Sequence, residues 1–374
     1  MSAQPDSTGR VLGWDILRGL CALSVMVYHL LYWQDLATVS TLGTYGVYLF
    51  FILSGASLAY VYDARAIGSV RGFAAFLAVR WLRLAPLYVA VCALFLVMLA
   101  ARNGQWVPGS VGLLALNASF LFGAYTPAVT ALAIGGWSLG IEFMFYLAMP
   151  LIVRVLPLAN WRLPVLTLLV VFQWIWIDRT VGTVGLAAAT HAYHQVPAFA
   201  AYFFVGCLIG RARRQEGRAL VLRTGLLAWG AMAALLLACA PAVSGGELVG
   251  WRGVLLPLAC VALVWASGRV VVTGRIQSLA RWLGDITYGA YLLHPMLFFG
   301  FAWFVLPLWT PASVESLPVG VRLGVLLTAV ALTCFWAAAS ERHLERPLRA
   351  AGRRFLERWL PRHQPASDST RSAS

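Results

Sequence analysis

The sequence predicts an all-α integral membrane bundle of about ten transmembrane helices with both termini in the cytoplasm. Three observations predict it. Of 374 residues, 61% are apolar and 11% charged, at a mean hydropathy of +0.78; water would solvate such a chain poorly, whereas lipid suits it. Apolar runs recur from residue 12 to residue 340, and most reach the roughly 17 to 25 residues that cross a bilayer as a helix. All 28 basic residues are arginine, and with the N-terminus inside, 23 fall on the cytoplasmic side while Arg102, Arg179, Arg252 and Arg322 fall outside. That asymmetry is the positive-inside pattern. It accounts for the net charge of +14 without a nucleic-acid partner.

Three segments follow: a cytoplasmic N-terminal segment at 1–11, a membrane domain at 12–345, and an Arg/Pro/Ser-rich cytoplasmic tail at 346–374 that is partly disordered. The expected spans are 12–34, 42–62, 84–101, 135–156, 162–178, 196–210, 222–241, 251–267, 286–306 and 320–340. The first is retained as a helix, because Asp15 and Arg18 interrupt its apolar run and no A-x-A site follows.

Ionisable residues in that first span cost on the order of 2.5 to 3.5 kcal/mol each at the bilayer centre, so they face a partner or a cavity. At about 100° per residue, Asp15, Arg18 and His29 point within about 60° of one another. Arg18 and His29 stand about 16 Å apart along the axis. The stripe reads as the wall of a polar channel; an interfacial Asp15–Arg18 anchor with a packed core histidine is the alternative.

The second span carries Gly46-Val47-Tyr48-Leu49-Phe50-Phe51-Ile52-Leu53-Ser54-Gly55. Before the third, Arg80 and Arg83 share a helical face at the membrane surface and Pro86 follows. Guanidinium forks there suit phosphates, of an anionic lipid headgroup or of a nucleotide-like acyl donor such as coenzyme A. The apolar segment from Ser110 to Gly123 is short and bounded by Gly and Pro, so it is read as re-entrant or interfacial. Asn117-Ala118-Ser119 within it matches a glycosylation sequon, too short a pattern to decide anything.

In the fourth span Ser138, Glu142 and Tyr146 recur at i, i+4 on one face. Glu142 enters from outside to a depth of about 10 Å, and His29 rises about 24 Å from the inner end. In a core about 30 Å thick the two could meet. Histidine as general base, with the carboxylate fixing its tautomer, is one reading; an ion pair of Glu142 with another buried arginine is the other.

His191 and His194 form an H-x-x-H pair without a third ligand, so no metal is expected. The six cysteines lie in apolar segments without C-x-x-C spacing, which argues against a disulfide framework. The ninth span places Tyr288, Tyr291 and His294 along one side, His294 just before Pro295.

Taken together these segments resemble the membrane acyltransferase family 3, bacterial O-acyltransferases acting on surface polysaccharides and other glycans. The likeness rests on Asp15, Arg18, Gly19, Ala22 and His29; the second-span run to Gly55; Arg80, Arg83 and Pro86; Trp137, Ser138, Leu139, Glu142, Phe145 and Tyr146; Tyr288, Tyr291, Leu292 and His294; and Glu345 with Pro347. One departure is Ala56, where many members have an aromatic residue, which puts the pocket's shape in question. The resemblance implies a stand-alone multi-pass enzyme of the inner or plasma membrane, with acetyl-CoA or another acyl-CoA as donor substrate and no tightly bound cofactor. The acceptor is expected to be a hydroxyl of a glycan, lipid-linked sugar or glycosylated metabolite.

In this reading Arg80 and Arg83 hold the donor's phosphates, and Arg18 guides it. His29 with Glu142 performs the chemistry, and Asp15, Ser138, Tyr146, Tyr291 and His294 contact substrate. Membrane lipids are the other partner. A transporter or flippase is the rival from a different class, because a polar stripe through a helix bundle also suits a solute pathway.

Overall fold

The computed structural model describes residues 10–215, 220–241 and 243–359. Most of the N-terminal segment and the end of the tail, 360–374, lie outside the described residues. Among those described the chain is helical and has no strand; a parallel bridge joins Leu220 to Val270.

The helices are α1 (Leu12–Trp33), α2 (Ser40–Val61), α3 (Ala64–Ile67), α4 (Val70–Asn103), α5 (Ser110–Ser119), α6 (Pro127–Thr130), α7 (Gly136–Val155), α8 (Ala159–Tyr193), α9 (Ala200–Gln215), α10 (Leu222–Ala238), α11 (Arg252–Ser267), α12 (Ile276–Gly300), α13 (Val319–Ser340) and α14 (Arg346–Trp359). Among the described residues seven helical stretches are long and apolar enough to cross a membrane: α1, α2, α4, α7, α8, Ile276–Leu308 and Val319–Leu356. Each of the ten expected spans contains a helix, but α9, α10 and α11 have 16 or 17 residues. At 1.5 Å per residue each measures about 25 Å, short of a core about 30 Å thick.

Several boundaries differ from hydropathy: α8 runs past residue 178 to Tyr193 across a non-helical break at Gly185, and α12 starts at Ile276 instead of 286; two further differences have clear reasons. The third span is expected from residue 84, yet α4 starts at Val70, where the Ser69 side chain accepts from the Gly72 N–H at 3.0 Å. Such a cap satisfies a donor the first turn leaves open. The helix carries Arg71, Arg80 and Arg83 as readily as Leu, since arginine is a good helix former. At the other end, residues 346–359 of the expected tail form α14. A π-helical turn at Glu341–Glu345 joins it to α13.

The centre of the bundle runs α9–α2–α1–α12–α13, with α11 and α7 also against α2. Small residues allow the closest of these contacts. Gly206 and Gly210, four apart on α9, face Gly55 and Ala56 on α2: a Cβ at Gly206 would lie 2.1 Å from the Ile52 carbonyl oxygen, one at Gly210 2.0 Å from that of Ala56, and one at Gly55 2.2 Å from that of Phe203. Backbones this close pack by dispersion where lipid removes the hydrophobic drive. Ala56 is fully buried in this seam and does not line the cavity described below. The departure at position 56 therefore bears on helix packing, not on pocket shape. Large apolar side chains such as Leu163, Leu168, Trp174, Leu327 and Phe335 point outward from α8 and α13, as lipid-facing surfaces do.

Asn117 is fully buried. Its Oδ1 accepts from Tyr88 Oη at 2.7 Å and the Leu132 N–H at 3.0 Å, and its Nδ2 donates to the carbonyls of Leu113 and Thr130, both at 2.8 Å. All four valences of the amide are used. The sequon residue is thus a brace between α4, α5 and the loop before α7. Asn117→Ala is expected to cost about 1–3 kcal/mol through stranded partners; an unchanged melting temperature in detergent would contradict that role.

Candidate active site

A cavity of about 720 Å³ opens beside the starts of α1 and α14 and the middle of α12. Seven arginines and four carboxylates line it. Arg10 organises the mouth: its Nε donates to Asp15 Oδ2 at 2.8 Å and its Nη1 to Asp285 Oδ1 at 2.7 Å. Burial works against the Arg10 charge, but the two carboxylates outweigh it and raise its pKa above the usual value. Asp285 also pairs with Arg346 at 3.3 Å, and Arg18 donates to Asp15 at 2.8 Å and to Ser57. The start of α1 is thereby tied to Asp285, ten residues into α12, and to the start of α14. Asp15 and Arg18 form an ion pair and also line the cavity, so the two readings of that pair are compatible.

Arg80 lies over the Tyr62 ring at 5.3 Å and donates to its hydroxyl at 3.1 Å. Arg349 is held by Glu341 and, at 3.3 Å, by Glu345. Two cavity arginines differ. Arg83 and Arg353 have neither a hydrogen bond nor an ion pair with any described residue. An arginine cluster with two uncommitted forks suits an anionic, polyphosphate ligand.

Deeper in, Glu142 accepts from Tyr146 at 2.7 Å and from Ser54. One turn further, Ser138 Oγ lies 2.9 Å from Tyr291 Oη, which donates to the Gly135 carbonyl at 3.0 Å. Phe50 packs edge-on against Tyr291 with centroids 5.7 Å apart. Ser138, Tyr291 and Phe50 lie along the deep side of the cavity.

The two histidines lie outside the cavity lining, one turn of α12 past Tyr291. His29 Nδ1 is 3.0 Å from His294 Nε2, and Trp33 stacks on both rings, at 4.9 and 5.8 Å between centroids. The pairing of Glu142 with His29 expected from depth does not occur. Axial depth sets the height of each group, but α12, not α7, packs along the His29 face of α1. His294, expected to contact substrate, is buried against His29 and is not among the residues lining the cavity.

The structure thus groups Asp15, Arg18, Arg80, Arg83, Glu142, Ser138, Tyr146 and Tyr291 around one cavity and sets His29 with His294 beyond it. Sequence reasoning missed Ser54, Ser57, Asp285 and the α14 arginines. The spacing of Arg346, Arg349 and Arg353 at i, i+3, i+7 was the available signal for the last, since it places three guanidiniums on one helical face. Of the H-x-x-H pair, His194 turns inward onto Trp137, 4.2 Å between centroids, while His191 is exposed. Burial lowers the His194 pKa to about 4.

A family profile described as an acyltransferase domain matches residues 11–339. No curated protein and no solved structure matches the chain.

Proposed function

The chain belongs to this acyltransferase family, and from that premise we propose that it is an O-acyltransferase moving an acyl group, foremost acetyl, from cytoplasmic acyl-CoA to a hydroxyl of a glycan or other sugar-containing acceptor. Its class as a multi-pass membrane acyltransferase rests on the family and on the apolar helices together. The observation that carries the finer reading is the arginine-lined cavity leading inward, through Glu142 and the Ser138–Tyr291 contact, toward the paired histidines.

We assign α9, α10 and α11 to the bilayer as well, giving about ten crossings with both termini in the cytoplasm. The Arg10–Asp285–Arg346 link supports this, because it holds both ends of the membrane domain at one face, the one richest in arginine. The enzyme then sits in the bacterial inner or plasma membrane.

In the proposed reaction Arg83, Arg353 and Arg80 hold the donor's phosphates at the mouth, while Arg18 and Asp15 flank the pantetheine arm. The arm passes Ser138, Tyr146 and Tyr291 and brings the thioester toward His29. An acceptor hydroxyl gives its proton to His29 as its oxygen attacks the acyl carbonyl. The new C–O bond forms, the C–S bond breaks, and the proton returns to the departing thiolate. Glu142 acts indirectly, fixing Ser54 and Tyr146. The chemistry needs no metal or resident cofactor.

Proteoliposomes given labelled acetyl-CoA and a glycan extract should release free coenzyme A and label the glycan; movement of solute without thioester cleavage would overturn the reading. Arg83→Gln is expected to raise KM for acyl-CoA roughly tenfold to hundredfold, the worth of a hydrogen bond to a charged group, with a smaller effect on kcat. A steady-state titration of donor checks this.

A further inference from the structure

We propose that His294 is a positioning residue that fixes the tautomer of His29, leaving a bare, partner-free Nε2 as the proton acceptor. The inference rests on the acyl-transfer reading for its catalytic meaning, but its structural content follows from three atoms. His294 Nδ1 lies 3.0 Å from the Ala290 carbonyl oxygen, one turn back on α12. A carbonyl only accepts, so this nitrogen carries a hydrogen.

In a neutral imidazole the other nitrogen is then an acceptor. His294 Nε2 faces His29 Nδ1 at 3.0 Å, so His29 Nδ1 is the donor. The same rule, applied once more, strips the hydrogen from His29 Nε2. The order runs from the backbone of α12 through His294 to His29, with one N–H pointing along each link.

The competing arrangement makes His294 cationic, with Nε2–H donating to His29. His294 is 1% exposed, and its ring neighbours are His29, Trp33 and Tyr291. No carboxylate forms an ion pair or hydrogen bond with His294 among the described residues, and the Glu142 carboxylate is engaged by Ser54 and Tyr146. A buried cation with no carboxylate against it carries a desolvation cost of several kcal/mol, so the neutral chain is the resting form.

Trp33 holds the geometry. Its ring is parallel to His29 within 4° and to His294 within 19°, which keeps the two imidazoles from swinging apart. His29 Nε2 makes no hydrogen bond to a described residue, and His29 is half-buried, so an incoming hydroxyl meets a free lone pair. When Nε2 takes the proton, the His29 Nδ1–H bond to His294 strengthens and the new charge is shared along the pair. The role is the one a carboxylate plays for histidine in hydrolases, performed here by a second imidazole.

The test combines a spectroscopic and a kinetic readout on the full-length protein in lipid bilayers. Nitrogen-15 spectra of histidine-labelled protein, with the His29 signals assigned by loss in His29→Ala, should show a protonated Nδ1 and a bare Nε2. In His294→Leu the same signals should shift toward the Nε2–H tautomer that neutral histidine prefers in water. His294→Leu should lower kcat about 100-fold with KM for acyl-CoA within about twofold. His294→Gln, whose side-chain oxygen can still accept from His29 Nδ1, should recover about tenfold of that loss. Protonation of His29 at Nε2 in the wild type, or equal activity of the Leu and Gln variants, would overturn the proposal. The wild-type spectrum decides even where a variant fails to fold. It needs no substrate, so it stands apart from whether acyl transfer itself is observed.

Discussion

Replacing His29 with alanine is expected to lower the rate of acyl transfer by about 10²- to 10⁴-fold, the usual contribution of a positioned general base. Donor binding should change little, because the cavity arginines lie about three turns of α1 away from His29. The expected signature is therefore a collapse of kcat with acyl-CoA affinity preserved, measured by donor titration in proteoliposomes and by binding of a non-hydrolysable donor analogue. Mass spectrometry of the modified glycan from cells carrying the variant gives the same answer in vivo. Full restoration of the modification by His29→Ala would remove the histidine from the mechanism. Stability is not expected to suffer greatly, since His29 is half-buried and its partner His294 keeps its bond to Ala290.

The second large effect is structural. Gly206→Leu should prevent α9 from seating on α2, because even a Cβ there would meet the Ile52 carbonyl at 2.1 Å. That oxygen belongs to helix backbone and cannot turn aside. Separation of the helices by an ångström or more would follow, and overpacking of this kind costs at least about 1–3 kcal/mol. The consequence reaches the active site, since α2 presents Phe50, Ser54 and Ser57 to the cavity from the side opposite the seam. Gly206→Leu is expected to leave little folded protein in detergent extracts, and Gly206→Ala to lower the melting temperature by several degrees. Gly230→Leu is the control: nothing lies within 4 Å of a Cβ at this position on α10. Equal yields of the Gly206→Leu and Gly230→Leu variants by size-exclusion chromatography would show the seam to be unimportant.

Hydropathy located the helices well because a chain in lipid must satisfy its own backbone, and that demand writes long apolar runs into the sequence. Helical periodicity also placed Asp15 beside Arg18 and Ser138, Glu142 and Tyr146 on a common face, since both depend only on local geometry. What it left open was which helix faces which. His29 and Glu142 have plausible matching depths, yet His29 meets α12, and the partners of Glu142 are Ser54 on α2 and its own neighbour Tyr146. That choice depends on seams such as Gly206–Gly210 against α2, where small residues decide the approach of two backbones. Composition obscured α14 for a different reason: its arginines resemble a solvated tail until their common face is set against the cavity.

The two ends of the site are also the two ends of the chain's synthesis. Asp15 and Arg18 are made near the start, while Arg10 waits for Asp285, 275 positions later, and His29 for His294. At about 5–20 residues per second, the ribosome needs roughly 13 to 55 s to supply these partners. During that interval the start of the chain balances its charge through Asp15 alone, paired with Arg10 and Arg18, and His29 lacks its partner imidazole. The site is therefore assembled last, when the late helices slot against the first. A chain stalled before α12 would carry four of the seven cavity arginines and His29, but neither Asp285 nor His294.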